Sequence, residues 1–212
     1  MPLQNRVLPT GEIVAHPARG GFVGNRGIIH RPTKTLGGRR WTTWGWVTCR
    51  LCFRGRHREV MGKGWTELFF LDEAVALAAG HRPCAECRRA DYRRFQAAWQ
   101  AAFDEPPTAP TMNARLHADR VDPATRAQRR HAASLSGLPD GCFVLHDGHA
   151  ALVAGGRLWR FSPDGYAAHP SPPPTVPVVV LTPRCTVAVL AAGYQPSMHP
   201  SAAESAGPLQ SP

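Results

Sequence analysis

The sequence predicts an α+β fold: a small, basic hairpin-plus-helices domain over residues 1–105, a β-rich domain with flanking helices over 106–196, and a disordered tail over 197–212. Three observations predict it. Short aromatic and β-branched runs bounded by glycine and proline recur along the chain and read as strands. Apolar residues recur at helical spacing in only a few stretches. The 20 glycines and 21 prolines demand many turns and argue against a helix bundle.

The elements follow in order. Residues 6–30 read as short strands broken by turns, and 31–40 as a polar, basic connection. "WTTWGWVTC" (41–49) and "CFRGRHREVM" (52–61) read as the two strands of a hairpin. Asp72 is placed to N-cap a helix over 73–79 that Gly80 closes. A second helix over 88–103 carries Tyr92, Phe95, Trp99 and Phe103 on one inward face. "DEPPTAPT" (104–111) is a boundary. Residues 112–134 read as helical, with Asp122 capping and Pro123 at a first helical position. Strands are expected at 142–146, 150–154, 157–161 and 177–182, and a last helix between Pro183 and Gly193.

Charge separates the two halves. The chain carries a net +10 with histidines neutral. Residues 1–94 hold 17 basic and 7 acidic side chains, whereas 95–212 hold 8 of each. All the excess lies in the first half, which therefore suits a polyanion. The segment 39–65 interleaves Arg39, Arg40, Arg50, Arg54, Arg56, Arg58 and Lys63 with five large aromatic residues. Arginines neutralise phosphates and exposed rings stack on bases, so these seven are the candidate nucleic-acid-binding residues. On a strand, Arg54, Arg56 and Arg58 would share one face. The tryptophans read equally as core anchors.

No stretch reaches the roughly 18 apolar residues of a membrane span, and the first 20 residues hold no apolar signal core. A cytoplasmic protein with reduced thiols is the expectation. Four of the six cysteines form two C-x-x-C pairs, Cys49/Cys52 and Cys84/Cys87. A two-residue spacer lets a tight turn aim both sulfurs at one point, and four thiolates suit tetrahedral zinc. A structural zinc site on Cys49, Cys52, Cys84 and Cys87 is the leading reading. A histidine could replace one cysteine, with His57 and His81 nearest, or the thiols could stand reduced without metal. "HRE" (57–59) with "PCAEC" (83–87) also spells a zinc-deaminase signature, in which Glu59 would move protons. The glycine-rich setting after Glu59 is poor helix material for that chemistry.

The stretch "FFLDEAVALAAGHRPCAEC" (69–87) resembles the metal-binding domain of the Ada family of bacterial DNA-repair proteins. Phe69, Phe70, Glu73, Ala74, Ala79, Gly80, Arg82, Pro83, Cys84 and Cys87 carry the resemblance, which extends more weakly over about 41–88. It implies zinc held by four cysteines and contact with nucleic acid, DNA more than RNA. It also implies a second function class, an enzyme in which an upstream cysteine accepts a methyl group from a phosphotriester. The upstream pair departs from the family pattern, having two residues between its cysteines instead of three. Nothing in 104–212 resembles the rest of Ada.

Two smaller motifs remain. "GNRGIIHR" (24–31) sets Asn25, Arg26 and His30 among glycines; such a loop could bind an anion or place a catalytic histidine, or be simply a turn with Gly27 at positive φ. "HDGH" (146–149) sets two histidines around a hairpin turn, where a metal would be unusual.

Overall fold

The computed structural model of the chain describes residues 1–55 and 59–204. Within them the class is α+β, as expected. The first sheet is built from β1 (Gln4–Val7), β2 (Ile13–Ala15), β3 (Phe22–Asn25), β4 (Val47–Arg50), β5 (Leu68–Phe70) and β6 (Arg82–Pro83), in the order β2-β1-β5-β3-β4-β6. Within it, β4 runs antiparallel to β3 and parallel to β6. The second sheet comprises β7 (His131–Ser134), β8 (Phe143–His146), β9 (His149–Ala154), β10 (Arg157–Ser162), β11 (Gly165–His169) and β12 (Pro177–Val180), in the order β11-β10-β9-β8-β12-β7. The helices are α1 (Glu73–Ala78), α2 (Arg89–Phe103), α3 (Ala109–Arg120), α4 (Arg184–Ala191) and α5 (Ser201–Glu204).

Pleating assigns the faces of the second sheet. Phe143, Leu152, Ala154 and Trp159 pack with Leu68, Phe70 and the α1 alanines in one core. Their strand neighbours Val144, Ala151, Val153 and Leu158 join Phe95, Trp99, Met112, Leu116 and Val189 in a second core under α2, α3 and α4. Successive side chains of a strand point to opposite faces, so one sheet serves both cores. Each core therefore draws residues from both sides of position 105.

The α1 helix lies buried along its whole length. Asp72 caps it, accepting from the Val75 N–H at 2.9 Å. Glu73 is buried as well and meets the Arg88 guanidinium at 2.7 Å. It also accepts from the Tyr194 hydroxyl at 2.6 Å and the Ser197 N–H at 3.0 Å.

Several expected elements differ. Only 47–50 of the first hairpin strand forms, and the described part of 52–61 holds no strand. There Arg54 and Met61 both take positive φ, at 52°, which breaks an extended run. The helix expected over 112–134 spans 109–120 instead, capped by Thr108. Asp122 caps a turn rather than a helix, accepting from the Ala124 and Thr125 N–H groups. Residues 197–204, expected in a disordered tail, dock instead: the His199 N–H donates to Asp72 at 2.9 Å and Ala202 is buried. Residues 205–212 lie outside the described part.

Candidate functional site: a cysteine cluster and an arginine-lined cleft

The parallel pairing of β4 with β6 assembles the cysteines. Thr48 lies opposite Pro83, and the Cys84 N–H donates to the Thr48 carbonyl at 3.0 Å. That register sets Cys49 beside the Cys84–Cys87 turn. The sulfurs of Cys49, Cys84 and Cys87 all lie within 4.8 Å of one another. Tetrahedral zinc with Zn–S bonds of about 2.3 Å separates its sulfurs by about 3.8 Å, so small shifts seat an ion in this group.

The surrounding hydrogen bonds also suit a metal thiolate. Thiols of Cys49 and Cys87 point at the Cys84 sulfur, and the N–H groups of Cys87 and Glu86 donate to it, holding its pKa far below the ordinary thiol range. The Cys49 thiol and the Arg50 N–H also reach the Cys87 sulfur, but its bond to Cys84 and its burial leave Cys87 raised. Three thiols crowded together leave Cys49 raised, chiefly by its bonds to Cys84 and Cys87. A divalent ion would relieve that crowding by taking up all three as thiolates.

Cys52 is exposed and does not belong to the trio. His57, Arg56 and Arg58 lie outside the described residues. His81 is fully buried and sits against Phe70 and Trp46, with ring centroids 4.7 and 5.2 Å away. Cys142 and Cys185 are buried in the second core. Glu59 is exposed and paired with Lys34 at 2.6 Å, on a hollow shared with His30 and Lys63. This surface ion pair and the irregular backbone around it give the deaminase arrangement no support.

A cleft of about 570 Å³ opens beside the cysteines. Its floor is the solvent face of the first sheet: Val23 and Asn25 from β3, Val47 and Cys49 from β4, and Phe69 from β5. Glu67 stands at the end of that row and accepts from the Met61 N–H at 2.8 Å.

Four of the other candidate residues border three hollows. Arg50 borders the cysteine cleft, and Lys63 the hollow of Lys34 and Glu59. Arg54 is exposed over the Phe53 ring. Arg39 and Arg40 line a hollow with Trp41, Trp44 and Arg126. Trp44 is 59% exposed and stacks on His117 with centroids 5.0 Å apart. Of the three arginines expected to share a strand face, Arg54 takes φ 52°, and Arg56 and Arg58 lie outside the described residues.

Arg26 and Arg120 were not among the seven, yet they are the most unusual cations in the fold. Both are buried, and both guanidiniums lie over the Trp46 ring, at 4.2 and 3.7 Å from its centroid. Neither has a carboxylate partner among the described residues. Arg120 donates to the carbonyls of Gly80 at 2.8 Å and Trp44 at 2.7 Å. Arg26 donates to Gly11 at 3.3 Å and meets His81 Nε2 at 3.5 Å. Among the described residues, Arg26 Nη2 and Arg120 Nε find no hydrogen-bond partner. An orphaned buried donor costs about 1–3 kcal/mol, and more when charged. Burial, with the nearby Arg40, pushes Arg26 down to about 9; burial and the nearby Arg26 push Arg120 down to about 8. Guanidinium keeps its proton in proteins, so the shifts measure how poorly these charges are compensated. The signal in the sequence was the "GNRG" loop, where Gly27 takes φ 90°.

A second group of possible metal-binding side chains lies on the far sheet. His146 Nδ1 is 3.2 Å from His169 Nε2, and Asp147 joins them around the β8–β9 turn.

No family model, curated protein or solved structure matches the chain.

Proposed function

We propose that the protein is a zinc-stabilised nucleic-acid-binding protein, acting on DNA more than RNA. One strand carries the reading. Cys49 lies near one end of β4, and Trp46, with its arginine partners and the neighbouring Trp44 hollow, lies at the other. An ion held by Cys49, Cys84 and Cys87 would lock β4 to β6 and so fix the shape of the basic surface. Cys52 completes the tetrahedron in this reading, and His57 is its rival. Exposed Arg39, Arg40, Arg50, Arg54 and Lys63 supply phosphate contacts, joined by Arg56 and Arg58. Trp44 offers a face for a base.

The test is binding of labelled duplex and single strands across a salt series. Affinity should fall steeply with salt, by about one counterion per phosphate neutralised. Arg39→Ala and Arg40→Ala should each flatten the slope by about one. Flat affinity between low and physiological salt excludes phosphate contact.

The position of Cys49 and exposed Cys52 on the lining of a cleft favours one further reading, methyl acceptance by either of them. Incubation with methyl-phosphotriester DNA should then raise the mass of the protein by one methyl group, on a peptide containing that cysteine. An unchanged mass removes this reading and leaves binding intact.

A further inference from the structure

A second cleft, of about 550 Å³, lies at the Trp46 end of β4. Arg26, Trp46 and Arg120 form its inner wall, and exposed Arg40, Arg126 and Arg130 stand at its mouth. It shares Arg40, Trp41 and Arg126 with the Trp44 hollow, so the two form one continuous depression. Five arginines converge there, against one lining carboxylate, Glu12, which is exposed and bonded to Thr10. Gln128 also lines the cleft; its amide N–H groups are used by the Pro9 and Ala78 carbonyls, and its Oε1 has no partner.

Folding alone does not account for this wall. Two buried cations without a carboxylate repel each other and leave donors unused. The backbone is nevertheless shaped to hold them. Gly80 takes φ 83°, and a Cβ there would overlap the Arg120 side chain. Gly27, next to Arg26, is similarly closed by Thr42. A dianion supplies what the wall lacks: negative charge and several acceptor oxygens in a geometry that arginine forks match. Trp41, half-buried and tilted against Trp46 at 6.0 Å, places an aromatic face beside the charge.

We infer that the cleft of Arg26, Trp46 and Arg120 is a binding site for a nucleotide phosphate, the terminal phosphate seated against the arginines and the base against Trp41. The ligand chemistry is a phosphate monoester on a nucleoside. Its source is either a free mononucleotide or the 5′-phosphorylated end of a strand. The inference deepens the nucleic-acid reading and rests on it only for the second source.

Titration calorimetry with the purified, metal-replete protein tests it. The probes are inorganic phosphate, AMP, and a short single strand with either a 5′-phosphate or a 5′-hydroxyl. AMP should bind, and phosphate more weakly. Exposed Arg126→Ala leaves the fold in place and should weaken AMP several-fold. Arg120→Met should weaken it by about tenfold to a hundredfold, the loss of charged hydrogen bonds. A 5′-phosphate preference among strands identifies a strand end as the source. AMP binding without strand binding keeps the pocket and removes the nucleic-acid reading. Failure of AMP and phosphate to bind, with both strands bound equally, overturns the pocket and leaves that reading standing. AMP binding that neither variant alters overturns it as well.

Discussion

The backbone N–H of Cys84 donates to the carbonyl oxygen of Thr48 at 3.0 Å. This bond joins two segments 36 positions apart and sets Cys49 beside the Cys84–Cys87 turn. Cys49 lies on β4, and Cys84 and Cys87 follow directly after its parallel partner β6. An ion there would act as a clasp across the sheet, and its loss should loosen β4 and β6 together.

The fourth ligand is open to a direct contest. If Cys52 completes the centre, Cys52→Ser should weaken zinc retention against a competing chelator by at least about tenfold, while His57→Ala leaves it unchanged. The reverse pattern assigns His57. In either case Cys84→Ser should lose the metal on dialysis.

Glu73 and Arg88 form a buried ion pair directly behind Cys87, with side chains 1% and 2% exposed. Glu73→Gln takes away the buried partner of Arg88 and should cost up to the roughly 3–5 kcal/mol of a broken buried pair in denaturant unfolding. Arg88 retains Asp91 at 2.8 Å, which softens its side of the loss. The double substitution Glu73→Gln/Arg88→Gln should cost less than the two single losses added together. Simple additivity would show that the pair is not coupled.

Gly80→Ala tests the backbone that closes α1. Position 80 sits at φ 83°, and a methyl group there would overlap Arg120. The change should destabilise by more than about 1 kcal/mol. It should also disturb the cleft, seen as a shift in tryptophan fluorescence from Trp46.

His81 gives the fold an acid sensitivity. Burial first, then Arg26 and Arg120, hold its pKa well below the usual imidazole value. The unfolded chain therefore binds a proton near pH 6.5 that the folded chain refuses. Stability contributed by neutral His81 is present above that pH and is lost as pH falls below it, by up to about 1.4 kcal/mol per pH unit. Comparing wild type with His81→Gln between pH 7 and 5 isolates the effect, because the cysteine centre is common to both. Parallel stability curves would contradict it.

Local chemistry carried much of the fold. Asp72 capping, the Tyr92–Phe103 stripe and the late strands follow from side-chain periodicity and cap geometry over a few residues. What periodicity could not reveal is pairing between distant segments. β6 is two residues long and exists only because β4 lies beside it. The 52–61 stretch has strand-like composition, but Arg54 and Met61 take left-handed backbone angles within it. Cys49, Cys84 and Cys87 were legible from spacing, whereas Cys52 shares their motif without sharing their cluster. Arg120 carries no sequence signal: it lies in the charge-neutral half and reaches the Trp46 ring beside Arg26 only through the packing of α3.

The most direct test of the central claim is metal analysis combined with X-ray absorption at the zinc edge, on protein purified without added metal. The account predicts about one zinc per chain in a sulfur-dominated shell near 2.3 Å. Protein with no bound metal, or with a shell of nitrogen and oxygen alone, would contradict it.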